Sequence, residues 1–364
     1  MAIRKKYDMF FLSIVLALLF SGFFILSSAS LGLAARADKN SYFPLIKQLI
    51  LGGGVGLVLF SLISRIPYQK WKKISFPLFL FSFFLTLLVL EPHLGFEHAR
   101  ARRWLSLGSF TFQPSELLKF SFVIYLSYWL SQKRQEIASI KTGLLPFLVI
   151  VGFVGVALIA QPDLGTFGVI SITALLLFLL AGGKFWQTGV VVLIGLVSLA
   201  ILVSVNDYQK ERVLVFFDNS YDIRGSGYQA NQAKIALGSG GMFGQGFGEG
   251  LSKFNYLPEP IGDSIFAVIG EEFGFVGTTF VVFLFVLFLF KSMIIAIKAR
   301  DVFGRLLVSG IAILITVQSF VNMYALVGLV PLTGLPLIFI SQGGSALIFA
   351  LVGAGIILNV SRRT

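Results

Sequence analysis

The sequence predicts an all-α, polytopic integral membrane protein with about ten transmembrane helices and both termini in the cytoplasm. Three observations carry that reading. Of 364 residues, 56% are hydrophobic and only 13% charged, about half the charged share of a soluble domain. Mean hydropathy is +0.89 and phenylalanine alone supplies 39 residues, more apolar surface than one aqueous core can hide. Finally, apolar runs of spanning length recur along the chain, a hydrocarbon core about 30 Å thick needing roughly 20 helical residues at 1.5 Å each. An ordinary water-soluble enzyme is excluded. With no cysteine there are no disulfides, thiolate metal sites or thiol nucleophiles, which leaves oxygen and nitrogen chemistry.

The first run, Met9 to Ala29, follows Arg4, Lys5 and Lys6. Its length and the runs behind it make it a retained helix rather than a cleaved signal. Phe43 to Ser64, Ile74 to Leu90, Pro114 to Ser131, Gly143 to Ala160, Leu164 to Ala181 and Phe185 to Val205 come next, each bounded by charge or turn residues. Ser264 to Phe290, Arg305 to Leu329 and Leu335 to Val360 complete the set. With the N-terminus inside, seventeen of the 29 basic residues fall in inside segments, so the net charge of +12 reads as an orientation signal. No basic-aromatic recognition module is present, and no nucleic-acid partner is expected.

Residues 1–364 read as one transmembrane domain, with a large extracytoplasmic loop at 206–263. Two outside segments break the charge pattern. Glu91 to Gln113 holds Arg100, Arg102, Arg103 and Trp104, and Asn206 to Gly262 is long, polar and rich in glycine. Loops of this length are usually functional or disordered. Within the second, Tyr228 to Leu237 reads as a short interfacial helix. Its glycine run, Gly238 to Gly250, has neither dinucleotide nor phosphate-loop spacing, so it is either a close-approach loop over substrate or a connector.

The candidate chemistry runs from Tyr256 through Glu259 and Asp263 to Glu272. Asp263 sits where water meets lipid. It can cap the eighth span, or it can act as a general base, its pKa raised by the apolar neighbours Ile261, Ile265 and Phe266. Glu259 lies four residues earlier between Pro258 and Pro260. Glu259 with Asp263 could hold a divalent cation, Mg²⁺ or Mn²⁺, together with substrate phosphate oxygens; alternatively Glu259 is a solvated loop residue. No organic cofactor is expected.

Gln113-Pro-Ser115-Glu116 and Gln161-Pro-Asp163 each open a span on the outer side. Their free N–H groups suit a phosphate or diphosphate, while Ser115 and Asp163 can equally cap those helices. Glu116 and Lys119 are three apart on one helix face, as in an ion pair, yet ionisable groups inside a membrane usually mark a polar cavity. Glu271 and Glu272 lie about two turns into the eighth span, and at least one should face the interior. His93 and His98 are weak metal ligands, and no serine-hydrolase elbow occurs.

Five separated motifs in one order then resemble the SEDS family, the FtsW, RodA and SpoVE proteins of bacterial cell-wall synthesis. They are Ala101-Arg-Arg-Trp-Leu-Ser-Leu-Gly108, Phe112-Gln-Pro-Ser-Glu-Leu-Leu-Lys119, Gln161-Pro-Asp-Leu-Gly-Thr166, Tyr256-Leu-Pro-Glu…Asp263…Phe266-Ala-Val-Ile-Gly-Glu-Glu272, and Pro331-Leu-Thr-Gly-Leu-Pro336 with Ser341-Gln-Gly-Gly-Ser345. The wording Tyr256-Leu-Pro-Glu-Pro and Ile269-Gly-Glu-Glu272 looks closer to the FtsW branch than to the RodA branch.

The resemblance implies an inverting peptidoglycan glycosyltransferase that polymerises lipid II at the outer face of the bacterial cytoplasmic membrane. It implies septal synthesis, with a class B penicillin-binding protein and other division-complex membrane proteins as partners. The family's catalytic aspartate falls on Asp263. Its substrate-binding groups fall on Arg103, Gln113, Ser115, Glu116 and Lys119, and the local reading adds Asp163, Glu259 and Ser264. Where the family usually has a polar pair before the aspartate, this chain has Ile261-Gly262, and Ser264 stands where Phe is common. The rival functions are a lipid II flippase, a RodA-like elongation polymerase, and a non-catalytic scaffold for the penicillin-binding protein.

Overall fold

Helical segments stand at all ten apolar runs. The computed structural model describes residues 7–34, 43–91, 93–98, 101–107, 110–218, 221–222, 225 and 227–362; Arg4, Lys5, Lys6, Arg100, Gly108 and Arg363 lie outside them. Among the described residues, eight helical segments are long and apolar enough to cross a membrane. At the other two runs stand a shorter apolar helix, Leu164–Leu180, and a helix that carries Glu116 and Lys119, Pro114–Gln132. The protein is a multi-pass membrane protein.

Helix α1 (Met9–Ala34) is followed by a pass made of α2 (Phe43–Lys47), a π-helical stretch (Gln48–Val55) and α3 (Gly56–Ile63). After α4 (Lys70–Leu87) come three short antiparallel strands, β1 (Gly95–His98), β2 (Ala101–Leu107) and β3 (Phe110–Phe112), with β2 central. Leu105 of β2 pairs with Gly95 on one side and Phe112 on the other. This sheet is an addition to the all-α expectation, and it carries Arg103 and Trp104. Helices α5 (Pro114–Gln132), α6 (Leu145–Ile159), α7 (Leu164–Leu180) and α8 (Phe185–Val205) continue the bundle. Proline opens α5, where its missing N–H costs little. Asp163 caps α7, accepting from the Thr166 N–H at 3.3 Å.

The long loop holds α9 (Asp207–Phe217), α10 (Tyr228–Ser239) and the single turn α11 (Ser252–Asn255), and the chain then completes α12 (Ile265–Ile297), α13 (Val302–Val327) and α14 (Gly344–Ser361). The last pass begins nine residues later than its apolar run suggests. Pro336 lacks an N–H and biases its neighbour away from helix. Side chains satisfy that stretch instead: Asn322 donates to Leu335 O, and Leu337 N–H donates to Ser341 Oγ.

Polar contacts define the two ends of the bundle. At one, Asp8 pairs with Lys291, Lys72 with Asp301, and Tyr68 N–H donates to Asn359. At the other, Gln161 reaches Thr86 O, Gln113 N–H reaches Ser345, and Gln48 reaches Ser341 O. Helix α13 lies deepest, with 83% of its spanning window buried, whereas the window of α8 is uncovered.

Helix α10 does not lie flat along an interface. Gln229 near its start meets Asp263 and Ser264, and Leu237 near its end packs on Gly270, so it descends alongside the first turns of α12. The glycine run then turns back against a break in α12 at Gly274, whose φ is 65°. There the two backbones pair. Phe275 and Val276 donate to Gly241 O and Met242 O, while Gln245 and Gly246 donate to Glu271 O and Glu272 O. A side chain at Gly274 would sit 2.4 Å from Gly244 N, so only glycine permits this approach. Of the two alternatives for the glycine run, the structure favours the connector: the run closes a broken helix, and none of it lines the cavity described below.

Both glutamates beside the break face inward. Glu271 accepts from the Leu251 and Ser252 N–H groups at 3.0 and 3.1 Å, and from Ser252 Oγ. Glu272 accepts from Ser28 and is ion-paired with Lys253, which also donates to Gly248 O at 2.8 Å. The kink and the returning loop let adjacent carboxylates find separate partners.

Candidate active site

Asp263 stands on the turn that enters α12 but does not cap it. The cap position is Ser264, and no side-chain cap bond forms there. Asp263 Oδ1 accepts instead from Gln229 Nε2 at 3.0 Å, and the same amide donates to Ser264 Oγ at 3.0 Å. The carboxylate's polar partner thus comes from α10, not from positions 261 and 262. Behind it, Asn322 Nδ2 on α13 donates to Asp263 O at 2.7 Å, and Gln342 N–H donates to Ile261 O at 2.7 Å. Gly262 and Ser264 N–H both donate to Glu259 O, which curls the turn. Glu259 itself has φ of 47°, uncommon for a residue with a side chain and more so before proline.

Asp263 and Glu259 line one cavity of about 380 Å³, together with Arg103, Gln113, Asp163 and Arg212. That volume is within the range of small-ligand sites. Gly334, at φ 68°, forms part of the wall: a Cβ there would lie 3.7 Å from Asp263 Oδ2 and 3.8 Å from Arg212 Nη2. Arg212 and Asp263 therefore face each other across a glycine.

Five of the nine residues singled out in the sequence meet in this cavity. Ser264 is buried just behind it, while Ser115, Glu116 and Lys119 are buried away from its wall. Lys119 Nζ lies 2.7 Å from Glu116 Oε1 and also donates to Gln318. Gln318 in turn donates to Pro336 O at 3.2 Å, so this ion pair props the cavity floor. Arg103 is folded onto the turn before α7: it donates to Gln161 O and Pro162 O and lies 3.7 Å from Asp163 Oδ1. Asp163 is 1% exposed, and its Oδ2 has no partner among the described residues.

Burial first, and then the negative charge of Glu259, push the Asp263 carboxyl up from 3.8 to about 6, against the pull of Gln229 and Arg212. A carboxylate so placed is a competent general base near neutral pH. Two carboxylates that feel each other across one cavity also fit a hard divalent cation that takes its remaining ligands from phosphate and water. Among the described residues, no group of three or more His, Asp or Glu could hold a metal alone.

Sequence reasoning missed Arg212 and Gln229. Arg212 follows the seventh run in Lys210-Glu211-Arg212, and an arginine on the side that the positive-inside rule depletes was the available signal. Gln229 carries none, since a polar residue at the start of a loop helix is ordinary.

The FtsW/RodA/SpoVE family model, described as cell cycle protein, matches residues 8–364. A probable peptidoglycan glycosyltransferase FtsW of Geobacter sp. (strain M18) is 38% identical over 359 residues, 99% of this chain and 98% of that one. Stage V sporulation protein E of Bacillus subtilis (strain 168) is 37% identical, with the same coverage. A chain from a study of the structural coordination of polymerization and crosslinking by a peptidoglycan synthase complex superposes with a TM-score of 0.79 and 30% identity, covering 98% of both chains. The rod shape determining protein RodA of Thermus thermophilus gives 0.72 and 28%, covering 98% of this chain and 97% of that one. With the five motifs in one order and relatives matching end to end, this chain belongs to the FtsW/RodA/SpoVE family.

Proposed function

We propose that the protein is a peptidoglycan glycosyltransferase that polymerises lipid II at the outer face of the bacterial cytoplasmic membrane, in septal synthesis beside a class B penicillin-binding protein. One observation carries the chemistry: a carboxyl with a raised pKa, held by Gln229 on a backbone that Asn322 pins, faces a sugar-sized cavity at one end of a membrane bundle. The relative named as a probable peptidoglycan glycosyltransferase FtsW supports the reaction class and, with a family model described as cell cycle protein, favours the division branch.

Asp263 takes the proton of the acceptor GlcNAc 4-hydroxyl as that oxygen bonds to the anomeric carbon of the donor MurNAc. The carbon–oxygen bond to the diphosphate breaks, and its electron pair leaves with undecaprenyl diphosphate. Attack opposite the leaving group inverts the centre and gives a β-1,4 bond. Gln229 fixes the carboxylate's rotation, so the base is oriented before substrate arrives. A divalent cation at Glu259 and Asp263 would offset the diphosphate charge when bound.

The test is polymerisation by purified protein given lipid II only in the outer leaflet, wild type against Asp263→Ala, with and without Mg²⁺ and Mn²⁺, and with and without the penicillin-binding partner. Chain growth that disappears in the variant supports the enzyme. Transbilayer movement without growth would make it a flippase, and neither activity would leave a scaffold.

A further inference from the structure

The proposed reaction needs a cation where the diphosphate gathers charge, and neither basic residue singled out in the sequence is presented there. Lys119 is 1% exposed and held between Glu116 and Gln318. Arg103 directs its nitrogens at Gln161 O, Pro162 O and Asp163, fastening the turn before α7.

A second, smaller cavity of about 150 Å³ adjoins the first, and Arg212 and Gln229 line both. It lies between α9, α10 and the end of α13. Its lining is amphipathic: Lys234 joins Arg212, two cations against the single carboxylate of Glu211, while Val215, Phe216 and Leu332 are apolar. Arg212 is set in place by its backbone contact, Nη1 donating to Leu332 O at 2.8 Å, while Nη2 points toward Gly334, on whose other side stands Asp263 Oδ2. Its five N–H donors form a fork that matches phosphate oxygens.

We infer that the smaller cavity is the subsite for the diphosphate and adjoining isoprene of a polyprenyl diphosphate, with Arg212 as the cation that meets the diphosphate and Lys234 beside it. The sugar occupies the larger chamber, and the anomeric bond lies at the junction, next to Asp263. Apolar Val215 and Phe216 receive the start of the lipid chain. This assignment rests on the polymerase reading for its role, but the binding it predicts does not need turnover.

An anionic phospholipid headgroup has related chemistry, so the experiment separates the two. Full-length protein in detergent is titrated with undecaprenyl diphosphate, undecaprenyl monophosphate and phosphatidylglycerol, with binding read by native mass spectrometry, for wild type, Arg212→Gln, Arg212→Lys and Lys234→Gln. The diphosphate should bind wild type at least tenfold more tightly than the monophosphate, and phosphatidylglycerol should not displace it. Arg212→Gln should lose at least tenfold, Arg212→Lys should regain part of that loss, and Lys234→Gln should lose less than Arg212→Gln. If Arg212→Gln does not fold, Lys234→Gln and Arg212→Lys still report, each losing diphosphate affinity. Wild-type affinity in the folded glutamine and lysine variants, or displacement by phosphatidylglycerol, overturns the assignment. Arg212-dependent binding by a wild type that forms no glycan would instead overturn the polymerase reading while leaving the subsite standing.

Discussion

Replacing Lys253 by Met removes a charge from the most enclosed ion pair of the protein. Lys253 and Glu272 are both 0% exposed in their side chains, and Met nearly conserves the volume, so the change is electrostatic rather than a cavity. What stays behind, among the described residues, is a carboxylate bonded only to Ser28, with Gly248 O also deprived of its Lys253 donor. Removing one partner of a buried pair costs about 3–5 kcal/mol, whereas replacing both by neutral groups is often close to neutral. The single variant should therefore lose about 4–7 °C in Tm, and adding Glu272→Gln should restore most of it. Thermal unfolding of the purified protein in one detergent, wild type, both singles and the double, reads out the cycle. A single variant within about 1 kcal/mol of wild type, or a double as unstable as the single, refutes the claim that this pair clamps the glycine run to α12.

The raised pKa of Asp263 fixes the sign of the pH dependence: the base must be ionised, so polymerisation should be half-maximal at about 6, full from about one unit above it, and fall about tenfold per pH unit well below it. Glu259→Gln removes a like charge and should move that limb to lower pH; a limb that stays put or rises counts against the pairing. Gly274→Ala drives a Cβ to 2.4 Å from Gly244 N in a backbone state only glycine tolerates, and should cost more than about 3 kcal/mol, seen as early unfolding and protease cleavage in 240–250. Asn322→Leu leaves the Asp263 and Leu335 carbonyls without their donor and should cost about 1–3 kcal/mol. Its polymerisation loss should exceed its stability loss, which kinetics at a temperature well below Tm would show.

The bundle was legible because bilayer thickness imposes one length on every pass, so hydropathy alone located ten segments and came closest at Phe185–Val205, the least covered of the spanning helices. The last pass was misread because hydropathy is blind to the missing N–H of Pro336. The three strands were hidden in a segment too short and polar to show a period. At the site, Asp263, Glu259, Arg103, Gln113 and Asp163 were found because charged or amide groups at helix entrances are conspicuous. Arg212 and Gln229 were not, since their roles arise from α9 and α10 folding back over the entrance to α12, a long-range pairing no local pattern encodes. The same folding-back turns the Asp263 side chain away from the helix cap and onto Gln229.

The stitched break in α12 bears on how the chain is made. Gly274 lies about 14 Å along the helix from Ile265, and four backbone groups of its neighbours at 271, 272, 275 and 276 pair with residues 241–246. Left bare in hydrocarbon, each such group costs several kcal/mol. Residues 228–253 leave the ribosome before α12, so they must wait near the insertion machinery until their partner emerges. The hairpin and helix should thus partition into the bilayer as one parcel, and a nascent chain stalled between them has no stable way to settle.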